Sequence, residues 1–410
     1  MVTFPIISRI IGPSNFGVIQ YCSAFVVYFN LFIGYGFNLT ATRRISKDPH
    51  NQDLRSKVFN EVFYSQVLLG LFSLVVLLIL SFSIPTLKSN INVAFFSFLF
   101  LVSTILTQNW MFQAMQDLSK VAMLNVLGKI IYFVLVITLV TSKDLYYWQP
   151  LALSITQIFI SFISFIWALK IYDIALIQFK LRACLTLLWE ERFVFLTQSF
   201  NSGYVTLNII LLGFFVSSED LGYYSASQKL VLIFIQLITM PLSQVLFPII
   251  SRSFAKSKVL GISQIQRVIP IITLGVTAFC VFLFVCSDYV LILFYGEGFR
   301  ESLRLFKILA IVPLITSVNN TIGVQVFLNL GFDNLYFNIM VFVTFLSFLL
   351  NFIFTNGFGI EGTAISWLLT ESILLILLVI FSIRFDIKLI NWALFLPKEV
   401  VRSLRTIFSR

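Results

Sequence analysis

From Val62 to Leu87 the chain carries no charged residue, and most of that stretch is leucine, isoleucine, valine and phenylalanine. A run this long is a bilayer crossing: about 20 residues at 1.5 Å each span roughly 30 Å of hydrocarbon as a helix. Lipid offers no partner to an open backbone, so only helices or closed barrels cross it, and these runs lack the period-2 alternation of a barrel strand. Comparable runs recur along the 410 residues, near 2–11, 18–42, 58–84, 91–115, 121–141, 148–169, 193–216, 223–250, 267–294, 303–328, 335–355 and 361–383. The first reaches only about 15 Å, half a bilayer. It reads as the outer half of a first helix whose start is missing, because its counterpart at 193–216 has full length. A signal peptide fits less well, with no basic region ahead of the run and no small-residue cleavage site. The expected fold class is an all-α polytopic membrane protein of about 12 transmembrane helices, the first truncated, in two pseudo-symmetric six-helix bundles around a central cleft.

Charge places the loops. Charged residues are 11% of the chain, against roughly a quarter in a soluble domain, so no separate soluble domain is expected. The net charge of +10 is not a nucleic-acid signature here, because the excess lies in loops and tail. Twenty lysines and arginines fall on one side, in loops 43–57, 116–120, 170–192 and 251–267 and in the tail; five, Lys88, Lys143, Arg300, Arg304 and Lys307, fall on the other. Positive charge stays inside, which puts the C-terminus in the cytoplasm. The expected domains are an N-terminal bundle over 1–170, a cytoplasmic linker over 171–192, a C-terminal bundle over 193–383 and a basic cytoplasmic tail over 384–410. The tail mixes Trp392, Leu394, Phe395 and Ile407 with basic residues, a composition suited either to the inner leaflet surface or to solvent. Cys22, Cys184, Cys280 and Cys286 lack metal-type spacing, and His50 is the sole histidine. Neither structural disulfides nor a metal site is expected.

The first two runs meet at Gly12-Pro13-Ser14-Asn15-Phe16-Gly17, whose glycines and proline interrupt a helix and form a hinge. Phe16-Gly17 is answered by Leu221-Gly222, and Ser46-Lys47 by Ser251-Arg252, both at an offset of 205 residues. That is about half the chain, as an internal repeat requires. Two six-helix halves keep the same orientation and suit a carrier that works by alternating access.

Five charges fall inside runs: Arg9, Glu61, Lys129, Lys229 and Glu371. Each costs about 2.5–3.5 kcal/mol at a helix centre on insertion scales, so each is expected to face protein or a water-filled cavity. Three cations against two carboxylates leave the interior mildly positive, suited to an anionic cargo, with Glu61 and Glu371 as candidate proton or sodium relays. The bland alternatives are snorkelling and helix-locking ion pairs. Gln108, Asn109, Gln113, Asn201, Asn208, Asn319, Asn320 and Gln325 add amides that bond either to neighbouring helices or to sugar hydroxyls. Trp110 offers a face for a sugar, or a place at the membrane interface. The acidic pairs Glu190-Glu191 and Glu219-Asp220 flank runs and read as solvated ends.

FPIISRIIGPSNFG at 4–17, YGFNLTATRRIS at 35–46 and NWMFQAMQD at 109–117, with Leu221-Gly222 and FPIISR at 247–252, together resemble the Wzx-type O-antigen and polysaccharide flippases of the multidrug/oligosaccharidyl-lipid/polysaccharide exporter superfamily. The resemblance implies a bacterial inner-membrane protein that moves an undecaprenyl-diphosphate-linked oligosaccharide from the cytoplasmic to the periplasmic face. It implies no catalysis and no cofactor beyond a coupling proton or sodium ion. Membrane lipids, and the polymerase and chain-length proteins of the same pathway, are the implied partners; nucleic acid is not. Arg9 falls in the family's hinge motif and Arg43 in its helix-end motif; with Lys129 and Lys229, added from expected burial alone, and the amides Asn109 and Asn319, they make up the expected translocation path. Gly12, Pro13, Gly17 and Gly222 form the hinges. The rivals are a drug or cation exporter of the same superfamily, which is expected to have a negative cavity, and an O-antigen polymerase, which needs a long outer loop or a metal-binding carboxylate pair.

Overall fold

The computed structural model describes residues 3–400 and 402, leaving out the side chains of residue 4 and of 201–204 and 240–245. Asn201, Arg405, Ile407 and Arg410 therefore lie outside the described residues. Within them the chain is mostly helical, with no strand, and it forms two compact units, Met1–Gly222 and Tyr223–Arg410. Nine helical stretches among the described residues are long and apolar enough to cross a membrane.

The first unit begins with α1 (Thr3–Gly34) and α2 (Phe37–Ile45), then α3 (Gln52–Ser83). Four short helices follow, α4 (Pro85–Ser89), α5 (Ile91–Phe98), α6 (Phe100–Leu106) and α7 (Asn109–Ala114), the last three making one broken crossing. It closes with α8 (Leu118–Leu139), α9 (Trp148–Ile171) and α10 (Leu181–Leu212). The unit boundary falls after residue 222, later than the linker at 171–192, because α10 packs on α1: Tyr35 stacks on Phe195 with ring centroids 4.5 Å apart, and its hydroxyl donates to the Leu188 carbonyl at 3.0 Å. One core joins α2, α3, α7 and α9 around Phe37, Ile45, Phe59, Trp110 and Phe112.

The hinge is narrower than the sequence suggests. Only Gly12 leaves helical geometry, at φ 75° and ψ 173°, and Pro13 to Gly17 are already helical. A proline in the first turn costs no hydrogen bond, because that N–H has no intrahelical partner in any case, so Gly12 alone makes the bend. Gly17 has a different task. A Cβ there would lie 1.8 Å from the Ser218 carbonyl oxygen, and a Cβ on Gly222 would lie 2.0 Å from the Pro13 carbonyl oxygen. Positions 13 and 218, like 17 and 222, are 205 residues apart. Each glycine thus packs on the carbonyl four residues before its repeat mate, a reciprocal contact with two-fold character. Asn15 ties this end to the turn at Lys143, its Nδ2 donating to that residue's carbonyl at 3.0 Å.

After α9 the chain runs extended across the start of α3. Asn60 Nδ2 donates to the Ala175 carbonyl at 2.8 Å while its Oδ1 accepts from the Ile177 N–H at 3.0 Å. Ser56 Oγ accepts from the Ala175 N–H, Gln52 Nε2 donates to the Asp173 carbonyl, and the Tyr64 hydroxyl donates to the Ile177 carbonyl. Residues 52, 56, 60 and 64 recur every fourth position, so one polar stripe of α3 takes the place of a neighbouring strand.

The second unit is built from α11 (Ser218–Lys256, whose first turn belongs to the first unit), α12 (Lys258–Val285), α13 (Ser287–Tyr295), α14 (Ser302–Leu309), α15 (Val312–Asn320) and α16 (Asp333–Arg384). A π-helical stretch, Thr321–Leu328, continues α15. Here α11 runs five residues past Ser251, so the Ser251-Arg252 half of the repeat marks no helix end. The runs at 335–355 and 361–383 are two helices, joined within α16 at Gly359, which leaves helical geometry at φ 58° and ψ −134°. Thr355 and Thr363, 2.8 Å apart, clasp the bend. Beyond α16 the start of the tail is anchored, with Ile387 and Leu389 buried and the Lys388 carbonyl accepting from Gln266 Nε2 at 2.7 Å, while Trp392 is exposed.

A side chain at Gly17 has no room, and overpacking of this kind costs about 1–3 kcal/mol or more. Gly17→Val is expected to lower the thermal unfolding midpoint of the purified protein in detergent, whereas a valine at Gly34, whose Cβ would meet nothing within 4 Å, is expected to cost only the loss expected of a surface change. Equal midpoints for Gly17→Val and wild type would refute the close contact.

Candidate functional site

The two sequence motifs at 35–46 and 109–117 come together. In α2, Phe37, Ala41 and Ile45 repeat every fourth residue and are buried, which turns Arg44 to the flank of the packed face and Arg43 away from it. Thr42 Oγ1 donates to the Trp110 carbonyl at 3.2 Å, joining α2 to α7. Arg44, not Arg43, reaches the carboxylate: its Nη2 lies 2.8 Å from Glu61 Oε2 on α3. Arg43 is exposed. Glu191, at the start of the following run, is half-buried; burial raises its carboxyl above the ordinary range, and Arg44 and then Arg43 draw it back. Of the pair expected as a solvated end, Glu190 is exposed and Glu191 is half-buried. At the neighbouring turn Lys120 and Asp117 are paired, and the Asp117 carboxyl is held below the usual carboxylate range, first by the hydrogen bond from Lys120.

Several of the expected interior positions are exposed. Lys129 is exposed on α8, because that helix packs through Leu124, Gly128 and Val136 while Val126, Ile130 and Phe133 beside the lysine face outward. Arg9 is exposed as well. Asn109 is exposed, and its neighbour Gln108 takes the buried place, with Nε2 on the Ile105 carbonyl at 3.0 Å and Oε1 without a partner among the described residues. Trp110 is 1% exposed and lies against Phe59, so no sugar reaches its face. Among the three intramembrane cations only Lys229 keeps an enclosed position: it is half-buried on the stretch of α11 where Tyr224, Gln228 and Leu230 are buried, Ser227 Oγ donates to the Ser302 carbonyl at 2.8 Å, and the Tyr295 hydroxyl donates to the Ala226 carbonyl at 3.0 Å.

The second unit does bring two candidates together. Asn319 Nδ2 donates to the Glu371 carboxylate at 2.9 Å and to its backbone carbonyl at 3.1 Å, and Trp367 Nε1 approaches the other carboxylate oxygen at 3.4 Å. Glu371 is 2% exposed. Asn319 Oδ1 has no hydrogen-bond partner among the described residues. The asparagine is the penultimate residue before the π-helical stretch, where the wider turn displaces the following side chains. An acid, an amide and an indole N–H in a dry pocket can hold a proton or a small cation, with the free amide oxygen as a further acceptor. No group of three or more metal-ligating side chains occurs among the described residues.

What the sequence reading missed was Arg44 rather than Arg43, Gln108 rather than Asn109, Trp367 and the α3 stripe. The 37/41/45 spacing and the 52/56/60/64 spacing were the available signals.

Comparison with known proteins agrees with this architecture. Residues 1–254 match the family described as "Polysaccharide biosynthesis protein". The chain is 25% identical over 383 residues to a protein of Escherichia coli (strain K12) named "Putative O-antigen transporter", covering 93% of this chain and 92% of that one. A Shigella dysenteriae protein of the same name is 24% identical over 389 residues, covering 93% of this chain and 94% of that one. In fold the chain is similar to a multidrug resistance MATE family transporter of the MOP superfamily in an inward-facing conformation, with TM-score 0.74 at 13% identity over 94% of this chain and 93% of that one. It is also similar to the lipid II flippase MurJ in an inward closed conformation, with TM-score 0.67 at 15% identity over 100% of this chain and 92% of that one.

Arg44→Ala leaves Glu61 without its cation and is expected to destabilise the protein by about 1 kcal/mol or more. Arg43→Ala is expected to stay within about 0.5 kcal/mol. Unfolding midpoints in detergent compare the two, and equal losses would undo the assignment of the pair.

Proposed function

Because the chain belongs to the polysaccharide biosynthesis protein family, we propose that it is a flippase for lipid-linked oligosaccharides, carrying undecaprenyl-diphosphate-linked repeat units from the cytoplasmic to the periplasmic face of a bacterial inner membrane by alternating access. The observation that carries this reading is the likeness, over more than nine-tenths of both chains, to two proteins named as O-antigen transporters. The multi-pass helical fold it shares with MATE and MurJ proteins is consistent with it. The C-terminus is assigned to the cytoplasm by the charge excess on its side of the membrane. Lys229 is the cation we assign to the diphosphate, and Glu371 with Asn319 is the pair we assign to a coupling proton or sodium ion; Glu61, bridged to Arg44, takes a structural part.

In cells lacking the gene, repeat units are expected to accumulate on the cytoplasmic face, and the wild-type gene to restore their outward transfer. Units already on the outer face in the deletion strain would transfer the assignment to a polymerase. Lys229→Ala is expected to abolish export at normal protein level, and full surface polysaccharide from that variant would remove Lys229 from the path. Glu371→Gln is expected to cut export sharply while the unfolding midpoint holds; unchanged export that still responds to collapse of the proton or sodium gradient would give Glu371 a purely structural role.

A further inference from the structure

Two cavities lie along one stripe of α3. Near its start Lys57, Asn60 and Tyr64 wall a cavity of about 730 Å³, closed on the other side by Gln178 and Lys180 of the extended segment. Further along, Val67, Leu71, Leu74 and Leu78 wall a second cavity of about 420 Å³, with Phe98 of α5 and Val102 of α6 opposite. Positions 57, 60, 64, 67, 71, 74 and 78 succeed one another in steps of three or four, so they share one helix face. Tyr64 in the first cavity and Val67 in the second are one turn apart.

The two cavities differ in chemistry as the two ends of a lipid do. In the first, no carboxylate of a described residue forms an ion pair with Lys57 or Lys180; of the two acids in its wall, Glu61 is already engaged by Arg44 at 2.8 Å, leaving Asp53. In the second, every lining residue but Ser81 and Asn92 is apolar or glycine, and Leu71, Leu74 and Val102 are exposed along its open side. Gly70 lies in its wall, where a Cβ would come within 2.5 Å of Ile105 Cδ1. The charged end lies beside the basic loop 43–57, on the side that charge asymmetry assigns to the cytoplasm.

We propose that this stripe seats one polyprenyl diphosphate lipid, its diphosphate between Lys57 and Lys180 and its isoprenoid chain along Val67 to Leu78. The choice of lipid rests on the flippase reading. Length also favours it: residues 67–82 rise about 22 Å along the helix, past the roughly 15 Å of one leaflet. A phospholipid chain anchored at the same head position stays in its own leaflet, whereas a polyprenyl chain continues into the other. Basic pockets at the cytoplasmic ends of membrane helices are natural phosphate sites. The seat would hold the cargo lipid on the first unit from the side, before its sugars enter the transport path.

The test is binding of radiolabelled undecaprenyl diphosphate to the purified full chain in detergent micelles, with undecaprenol and phosphatidylglycerol as competitors. Saturable binding is expected, weakened about tenfold or more by Lys57→Ala with Lys180→Ala, while displacement by undecaprenol shows the chain's own share. Leu74→Trp, which fills the groove from an exposed position, is expected to weaken binding of both prenyl lipids. Val75→Trp, exposed but outside the groove, is expected to leave binding unchanged and so serves as the folding control. Equal displacement by phosphatidylglycerol would make the groove a general phospholipid seat and overturn the proposal, as would binding indifferent to the lysines and to Leu74→Trp. Export measured with the same variants separates the two ideas. Wild type that restores export but shows no saturable prenyl lipid binding loses the seat and keeps the flippase function; a lipid bound at the stripe in a protein that export does not need loses the function and keeps the seat.

Discussion

Two glycines, 17 and 222, set how closely the start of α11 approaches α1. Each leaves the space of a missing Cβ to a carbonyl oxygen of the other helix, at positions that the internal repeat makes equivalent. Such a contact has no tolerance: any side chain at either glycine places an atom inside the van der Waals radius of backbone, which cannot rotate away as a side chain can. The bend at Gly12 brings the short first run into line for it, and Asn15 fixes the same end to the turn at Lys143. Dispersion and close fit, rather than hydrophobic burial, join helices in lipid, where tails are as apolar as leucine. A reciprocal backbone contact is therefore a strong constraint on this fold.

At the opposite end of the first unit the constraint is polar. Arg44 and Glu61 neutralise each other, Thr42 anchors α7, and the α3 stripe holds the chain after α9 by side chains that replace a strand. These groups lie where helices leave the hydrocarbon, and each satisfies a backbone or charged group that would otherwise be left bare. The same segment, 173–180, then forms one wall of a cavity whose lysines pair with no carboxylate among the described residues. One polar stripe on one helix thus serves both to close the unit and to shape a site.

In the second unit the acid on α16 is met by an amide and an indole, and α15 passes directly into a wider π-turn beside it. A charged carboxylate in a dry setting is costly, so its protonation or occupation by a cation is coupled to any rearrangement that wets it.

Run length and composition made the helical membrane fold legible, because the hydrocarbon thickness and the demand for paired backbone are properties of the solvent and need no tertiary information. The repeat at 17 and 222 was equally legible, since close packing restricts those positions to glycine. The identity of the interior charges was not. Counting residues inside a run placed Arg9, Lys129 and Asn109 within the protein, but which side of a helix faces neighbours depends on where the other helices lie, and adjacent residues differ by about 100° around the axis. That rotation separates Arg43 from Arg44, Asn109 from Gln108, and exposed Lys129 from buried Gly128. The sequence by itself determined that this chain spans a membrane as paired, repeated helices, because lipid dictates it; only the tertiary structure decided which polar side chains those helices enclose, because that is fixed by the neighbours each helix meets.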